Sequence, residues 1–419
     1  MSHSSIDRLP DTFNRLAWSN LAAQSAEQIA LAAAPIIAVL LLGVGEGQTG
    51  LLQTALTLPF VLFAIPAGLL ADRMSRRTLM AGAEALRAIA LLLTLGLIWF
   101  GALTMPLLAL LGFVAVCGTV VYSVAAPSLV PSLVVPQLLG AANARIELAR
   151  TVAFASGPAI GGALVGFTGA APAFGFAAAL SIIAVALLSG IHEPTRTTIQ
   201  QRKPMQDIAE GLSFVCHHQY LRPVFITQFI FSAASFMVLA VFVPYAVRHL
   251  GLSASGVGVT LAMYGVGMVV GALLATRVMK RLPFGTVIAL GPVTGFVASV
   301  VMALTTWIPS PALAGLSFFL LGVGPILWVI STATLRQSVT PPSLLGRVSA
   351  INTLSYGARP IGTGLAAVVG GLYHAEACLY LAVAGFAWQA VVILTSPAVT
   401  LERQPDMIGD VTGCVPTKV

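Results

Sequence analysis

The sequence predicts an all-α membrane protein of about twelve transmembrane helices, arranged as two parallel, pseudo-symmetric six-helix bundles. Three observations carry this. The first is composition: 419 residues, 58% hydrophobic and only 8% charged, with a mean hydropathy of +0.95, whereas a soluble domain carries roughly 25% charged residues. The second is the length of the apolar runs, which suits helices of about 20 residues rather than the shorter strands of a barrel. The third is an internal repeat. The charged stretch Gly68-Leu69-Leu70-Ala71-Asp72-Arg73-Met74-Ser75-Arg76-Arg77 has a weaker copy in Ala272-Leu273-Leu274-Ala275-Thr276-Arg277-Val278-Met279-Lys280-Arg281, at an offset of 204. Pro136-Gln137-Leu138-Leu139-Gly140 matches Pro342-Ser343-Leu344-Leu345-Gly346 at 206, and Trp99 matches Trp307 at 208. Parallel repeats of this kind belong to carriers that bind substrate between two halves.

Breaks at Pro, Gly and charge clusters place the spans at 16–43, 50–71, 79–100, 106–130, 147–168, 171–190, 221–247, 255–276, 284–306, 311–334, 347–373 and 376–396. The resulting organisation is a tail (1–15), a first bundle (16–190), a linker (191–220), a second bundle (221–396) and a second tail (397–419). His192 to Gln219 is the least hydrophobic internal stretch, and Met205 to Val215 within it reads as an amphipathic surface helix. Arg8 and Arg15 precede a full-length span, so the first helix is expected to stay in the protein.

Charge sets orientation. Of the 21 Lys and Arg residues, all but Arg87, Arg359 and Arg248 fall on one side if both termini are cytoplasmic. Such a bias fixes topology, and the expected location is the plasma (inner) membrane. The net charge of +7 therefore speaks for a bilayer and not for nucleic acid. The four cysteines, Cys117, Cys216, Cys378 and Cys414, form no CxxC pair, so neither a disulfide framework nor a metal site is implied.

The hairpin Gly68 to Arg77 resembles the signature of the major facilitator superfamily between its second and third helices, with Gly68, Asp72, Arg73 and Arg77 at matching spacings. Ser156-Gly157-Pro158-Ala159-Ile160-Gly161-Gly162 is similar to the Gly-Pro-x-x-Gly-Gly element of drug/proton antiporters. Pro136 to Arg150 resembles the branch holding macrolide efflux proteins and the enterobactin exporter. The resemblance spans residues 16 to about 396. It implies the major facilitator fold, alternating access and a proton-coupled exporter of amphipathic small molecules such as drugs or siderophores. One departure stands out: helix four, Leu107 to Val130, lacks the arginine that many such antiporters use in proton coupling.

The candidate gating set is Gly68, Asp72, Arg73, Arg76 and Arg77. Gly68 lets helices approach closely. Asp72 can cap a helix of the other half, and the arginines can pair with acids or lipid phosphates. A purely topological role is the alternative. In the helix-five set Gly157, Pro158, Gly161 and Gly162, the glycines open one face and the proline bends the helix; helix eight, with Gly265, Gly267 and Gly271, is the expected partner. Asn20, Gln24, Glu27 and Gln28 share a face of helix one, Gln24 lying four residues after Asn20, and Glu27 and Gln28 three and four after Gln24. A midspan carboxylate is costly and marks a pathway, so Glu27 either titrates or contacts substrate, unless it serves as a structural partner for an arginine. Arg359, before Pro360, is the matching cation, with neutralisation by helix-bend carbonyls as its alternative. Glu84 and Arg87 read as a structural ion pair at i,i+3. Gln228, Ser232 and Ser235 share a face of helix seven, and Trp328 is the aromatic candidate for stacking substrate. Gln53, Tyr264, Asn352 and Tyr356 complete the polar midspan residues.

No Walker loop is present, and the histidines lie at ends and in loops, so neither ATP hydrolysis nor an intramembrane enzyme is expected. No cofactor or metal is called for. The expected partners are a small-molecule substrate, protons and the lipid bilayer, with the chain as a monomer. The rival readings are an uptake permease for a polar or anionic metabolite, and a transporter-like sensor without flux.

Overall fold

The computed structural model describes residues 9–135, 138–192, 204–341, 344–345, 347–348, 351 and 355–405, without the side chains at 64–65, 69, 72–73, 128, 140, 204–208 and 356. The described residues are helical throughout, with no strand among them. The order is α1 (Asp11–Leu40), α2 (Glu46–Leu62), α3 (Ala64–Arg73), α4 (Arg76–Trp99), α5 (Met105–Leu133), α6 (Leu139–Thr168), α7 (Ala170–Ser189), α8 (Pro204–His217), α9 (Leu221–Arg248), α10 (Ala254–Arg281), α11 (Phe284–Leu304), α12 (Pro311–Val339) and α13 (Ala358–Leu394).

Ten of these helices are long and apolar enough to cross a membrane. The predicted 50–71 span is broken instead into α2 and α3 at Phe63. Pro66 explains the break: it has no N–H to give the Leu62 carbonyl, and its ring crowds that carbonyl. The last two predicted spans are the two arms of α13. Twelve residues of straight helix rise about 18 Å, yet Cys378 Sγ lies 3.8 Å from the Ala366 carbonyl oxygen. The chain therefore reverses between them, at Tyr373 and His374, where φ of His374 is 67°. Two starts also move. α1 begins at Asp11 and α6 at Leu139, earlier than the sequence suggests. The polar residues Asn143, Arg145 and Glu147 end the apolar run there but not the helix, which projects beyond the hydrocarbon layer. The predicted surface helix is present as α8; residues 193–203 of the connector lie outside the described set.

The repeat is visible in backbone detail. The turn after α1 uses the bonds Leu41 N–H to Ile37 O, Leu42 N–H to Ile37 O and Val44 N–H to Ala38 O. The turn after α9 uses His249 N–H to Tyr245 O, Leu250 N–H to Tyr245 O and Leu252 N–H to Ala246 O. Both turn on a left-handed glycine, Gly43 at φ 65° and Gly251 at φ 64°. This is one helix stop written twice, 208 residues apart.

Helices α1 to α7 pack among themselves, chiefly α1 on α6 and α7, α4 on α5 and α7, and α2 on α5. Helices α9 to α13 do the same, chiefly α13 on α9, and α12 on α10 and α11. Two seams join the sides, α6 against α10 and α2 against α13. Both depend on missing side chains. A Cβ on Gly162 would lie 2.6 Å from Gly258 Cα, and one on Gly50 would lie 2.5 Å from Ala367 N. Gly47 meets Gly371, Gly166 meets Ser255, and Thr54 donates to Thr363 Oγ1 at 3.0 Å. Trp99, Phe100, Phe167, Trp307 and Tyr373 are exposed at the helix ends nearest Arg248, as in the aromatic belt of a membrane interface.

Substituting Gly50 by leucine forces the α2–α13 backbones apart. Overpacking of this kind costs about 1–3 kcal/mol. Thermal unfolding in detergent should show a lowered midpoint for Gly50→Leu and no shift for Gly82→Leu, because a Cβ at Gly82 meets nothing within 4 Å.

Candidate functional site

The buried ion pair of the interior lies on the α1–α7 side. On α4, Arg87 bonds Glu84 at 2.6 Å, both side chains being almost wholly buried. The same guanidinium donates to the Ala23 carbonyl oxygen of α1 at 3.0 Å and to Thr119 Oγ1 of α5. One arginine thus ties three helices, and the expected i,i+3 pair is present with two further acceptors. Asn20 Oδ1 is buried without a hydrogen bond among the described residues.

Glu27 lies on the other side of this knot. It lines a small cavity of about 30 Å³ with Leu56, Arg87, Leu91, Thr119 and Phe174. That is room for a water or two. Arg87 and Glu84 of α4, Arg359 of α13 and Arg150 of α6 act on its carboxylate through space. Gln28, next along, faces α6 instead, where Gly157 sits against it. The polar face expected on α1 is therefore divided: Gln28 and Asn20 are packed in, Gln24 is half-buried, and Glu27 borders the cavity.

The helix-five motif is divided too. Gly157 and Gly161 face Gln28 and Ile29 of α1, and Gly162 with Gly166 faces α10. Four residues bring a helix round to nearly the same face and one residue turns it by about 100°, so the motif serves two neighbours and not α10 alone. On α10, Gly265 meets Ala155 of α6, but Gly267 and Gly271 meet Phe319, Gly322 and Val323 of α12. Pro158 lies inside α6, with its carbonyl oxygen against Gly258.

Arg359 stands at the α2–α13 seam. Its guanidinium lies 4.8 Å from the ring centroid of Phe236 on α9 and 5.6 Å from that of Phe60 on α2. A cation over aromatic faces is attracted by the rings, and these two rings come from opposite sides of the seam. Gln228 and Ser232 are buried on α9. Trp328 is fully buried, with Phe231 at 5.7 Å and Gly291 against it. It packs among α9, α11 and α12.

The gating hairpin is described in part. The side chains of Asp72 and Arg73 lie outside the described set, as do Asn352 and the Tyr356 side chain. Arg77 donates to the Ser189 carbonyl oxygen at 2.7 Å, and Arg15 to that of Gly190 at 2.9 Å. Both arginines satisfy the C-terminal carbonyls of α7, where a helix end attracts positive charge. A Cβ at Gly68 would meet nothing within 4 Å among the described residues, and α3 packs on α5, α2 and α4.

The other end is closed, by a residue whose role the sequence did not reveal. Arg248, at the end of α9, reaches across to Glu46 at 3.3 Å and to the Val44 carbonyl oxygen at 2.7 Å. It thereby joins the end of α9 to the turn between α1 and α2. Beside it, Tyr245 stacks on His249 and bonds Thr305. The only available signal was that Arg248 stood alone against the charge bias.

The Major Facilitator Superfamily profile matches residues 16–363. A multidrug efflux pump, Tap, of Mycobacterium tuberculosis (strain H37Rv) is 29% identical over 374 residues, covering 83% of this chain and 84% of the pump. An uncharacterized MFS-type transporter, y4rN, of Sinorhizobium fredii is 26% identical over 386 residues, covering 88% and 91%. Among solved structures, the nucleoside transporter NupG superposes with a TM-score of 0.70 at 14% identity, covering 92% and 98%. A bacterial homologue of the iron transporter ferroportin in the inward-facing state gives 0.73 at 17% identity, covering 93% and 99%.

Removing Arg87 alone leaves Glu84 as an unpaired charge in the interior, a loss on the order of 3–5 kcal/mol. Arg87→Leu should unfold well below the parent in a detergent melt, and Glu84→Gln/Arg87→Leu should recover most of the difference. An equal loss in both variants would deny the pairing its structural weight.

Proposed function

Because this chain belongs to the Major Facilitator Superfamily, we propose that it is a secondary active exporter of amphipathic small molecules, drug or siderophore in type, driven by protons. The observation that carries this reading is the division of the interior: a carboxylate, Glu27, on a cavity of one side, and a cation, Arg359, between rings of both sides. Export is favoured by the multidrug efflux pump that is similar over most of the chain. The sparse polarity of the midspan argues against an uptake permease for a polar metabolite, which remains the second reading.

In this proposal residues 16–190 and 221–396 are the two rocking bundles, 191–220 links them, and 1–15 and 397–419 are cytoplasmic tails. The basic residues orient the chain in the inner membrane, with the α3–α4 turn inside and Arg248 outside. The Arg248–Glu46 contact then closes the outside. Opening outward breaks the Arg248–Glu46 contact and brings the Gly68 to Arg77 segment against the second bundle, where Asp72 has its cap to make. Glu27 carries the proton, Gln24, Asn20 and Gln228 supply polar contacts, and the chain works as a monomer.

Everted vesicles loaded with a panel of lipophilic cations, macrolides and catecholates test the reading directly. Glu27→Gln should lose pH-driven transport by about tenfold or more while keeping counterflow, as expected for an intramembrane proton carrier. Pumping by that variant with an unchanged pH profile would take Glu27 out of the coupling step.

Arg248→Ala tests the closed end. The contact is partly exposed, so its worth after screening is roughly 1 kcal/mol, or about fivefold in the ratio of open to closed forms. Labelling of a cysteine placed at Gly45, where a Cβ meets only the Arg248 guanidinium at 3.7 Å, should accelerate by about that factor; an unchanged rate would leave the seam glycines as the sole closure.

A further inference from the structure

Away from the seams, the start of α9 and the end of α13 enclose a cleft of about 470 Å³. Its polar wall is Arg222, His217 and Gln219, its apolar wall is Ile226 and Val392, and none of its lining residues is acidic. The apolar wall is continuous with the outer face of the bundle, since Ile226 is exposed and Trp388, one turn deeper on α13, is 66% exposed. Tryptophan on an outer face near a helix end marks the interface between hydrocarbon and headgroups. The cleft therefore lies where a lipid passes from polar to apolar.

Its electrostatics select for an anion. Arg222 sits in the first turn of α9, where a cation opposes the helix dipole. An anion beside it satisfies both the guanidinium and the helix end. The two histidines are already committed through Nδ1. His217 Nδ1–H donates to the Ser213 carbonyl oxygen at 2.8 Å. His218 Nδ1 accepts from the backbone N–H groups of Tyr220 and Leu221, which puts its proton on Nε2. Burial lowers the pKa of His218, disfavouring its charged form. Among the described residues no cluster of His, Cys, Asp and Glu fits a metal ion, in keeping with these committed nitrogens. Phe214 and Tyr220 hold the His218 ring from two sides, so the wall is built rather than loose.

We propose that this cleft binds the phosphate of a membrane phospholipid, with Arg222 as the charged contact, His217 and Gln219 beside it, and the first acyl carbons along Ile226 and Val392. The site joins α8 and the start of α9 to the end of α13, and it is independent of the transport reading above. Phosphate on arginine is a charge-assisted, geometrically matched contact, and a basic pocket at a membrane face is a recurrent headgroup site.

Cys216 lines the cleft and is exposed, which supplies a reporter. Purified full-length protein in maltoside detergent is treated with a maleimide, and modification of Cys216 is followed by peptide mass. Phosphatidylglycerol should slow the reaction about fivefold, the effect of one basic residue near an anionic surface. A galactolipid with the same acyl chains should not protect. Arg222→Gln should lose the protection and Arg222→Lys should keep part of it, with Cys117 reactivity unchanged in both as evidence of folding. The proposal is overturned if phosphatidylglycerol gives no protection, if the galactolipid protects equally, or if Arg222→Gln is protected as well as the parent. Equal protection by millimolar inorganic phosphate alone overturns the lipid assignment in favour of a soluble phosphate.

Discussion

In hydrocarbon there is no hydrophobic drive to bring helices together, because lipid tails are as apolar as leucine. Association must come from close packing and from polar groups that have nowhere else to go. Both terms are visible, and they are used in different places. Between the two sides the contact is backbone against backbone, at Gly162–Gly258 and at Gly47–Gly371 and Gly50–Ala367. Within the α1–α7 side it is the Glu84–Arg87 pair and its bonds to Ala23 and Thr119. Smooth surfaces can slide or part at modest cost, whereas a buried ion pair resists separation. The seam chemistry suits movement and the knot chemistry suits a rigid body.

The ends of the molecule follow the same logic. At the Arg248 end, long-range contacts reach across the seam and include a charged one. At the other end, Arg77 and Arg15 donate to the carbonyls at the end of α7, where a helix end attracts positive charge.

Much of the fold was legible in the sequence, because span length, charge bias and half-length repeats are imposed by the bilayer itself. Two of the places where span boundaries differ have local causes. Pro66 splits one span into α2 and α3, and the polar start of α6 is helix outside the lipid. The candidate site was less legible. Periodicity grouped Glu27 with Gln28, but one residue of helix is a turn of about 100°, and the two ended on different neighbours. Trp328 stood out as a midspan aromatic, and in sequence such rings look alike whether they face a cavity or a core. Arg248 was seen only as an exception to the charge bias, and its partners Glu46 and Val44 are 202 and 204 residues away, beyond the reach of any local pattern. The glycines of the α2–α13 seam, Gly47 and Gly50, sat inside a run that reads simply as apolar.

The paired turns at Gly43 and Gly251 show how faithfully the backbone was copied, down to which carbonyl receives which N–H. The charges did not follow. Counting 206 residues on from Glu84 and Arg87 gives Leu290 and Val293. Where one copy holds an ionic knot, the other packs the rings of Phe231, Trp328 and Phe386 together. The backbone is thus repeated where the buried ion pair is not. A symmetric scaffold has in this way come to run on an asymmetric set of forces.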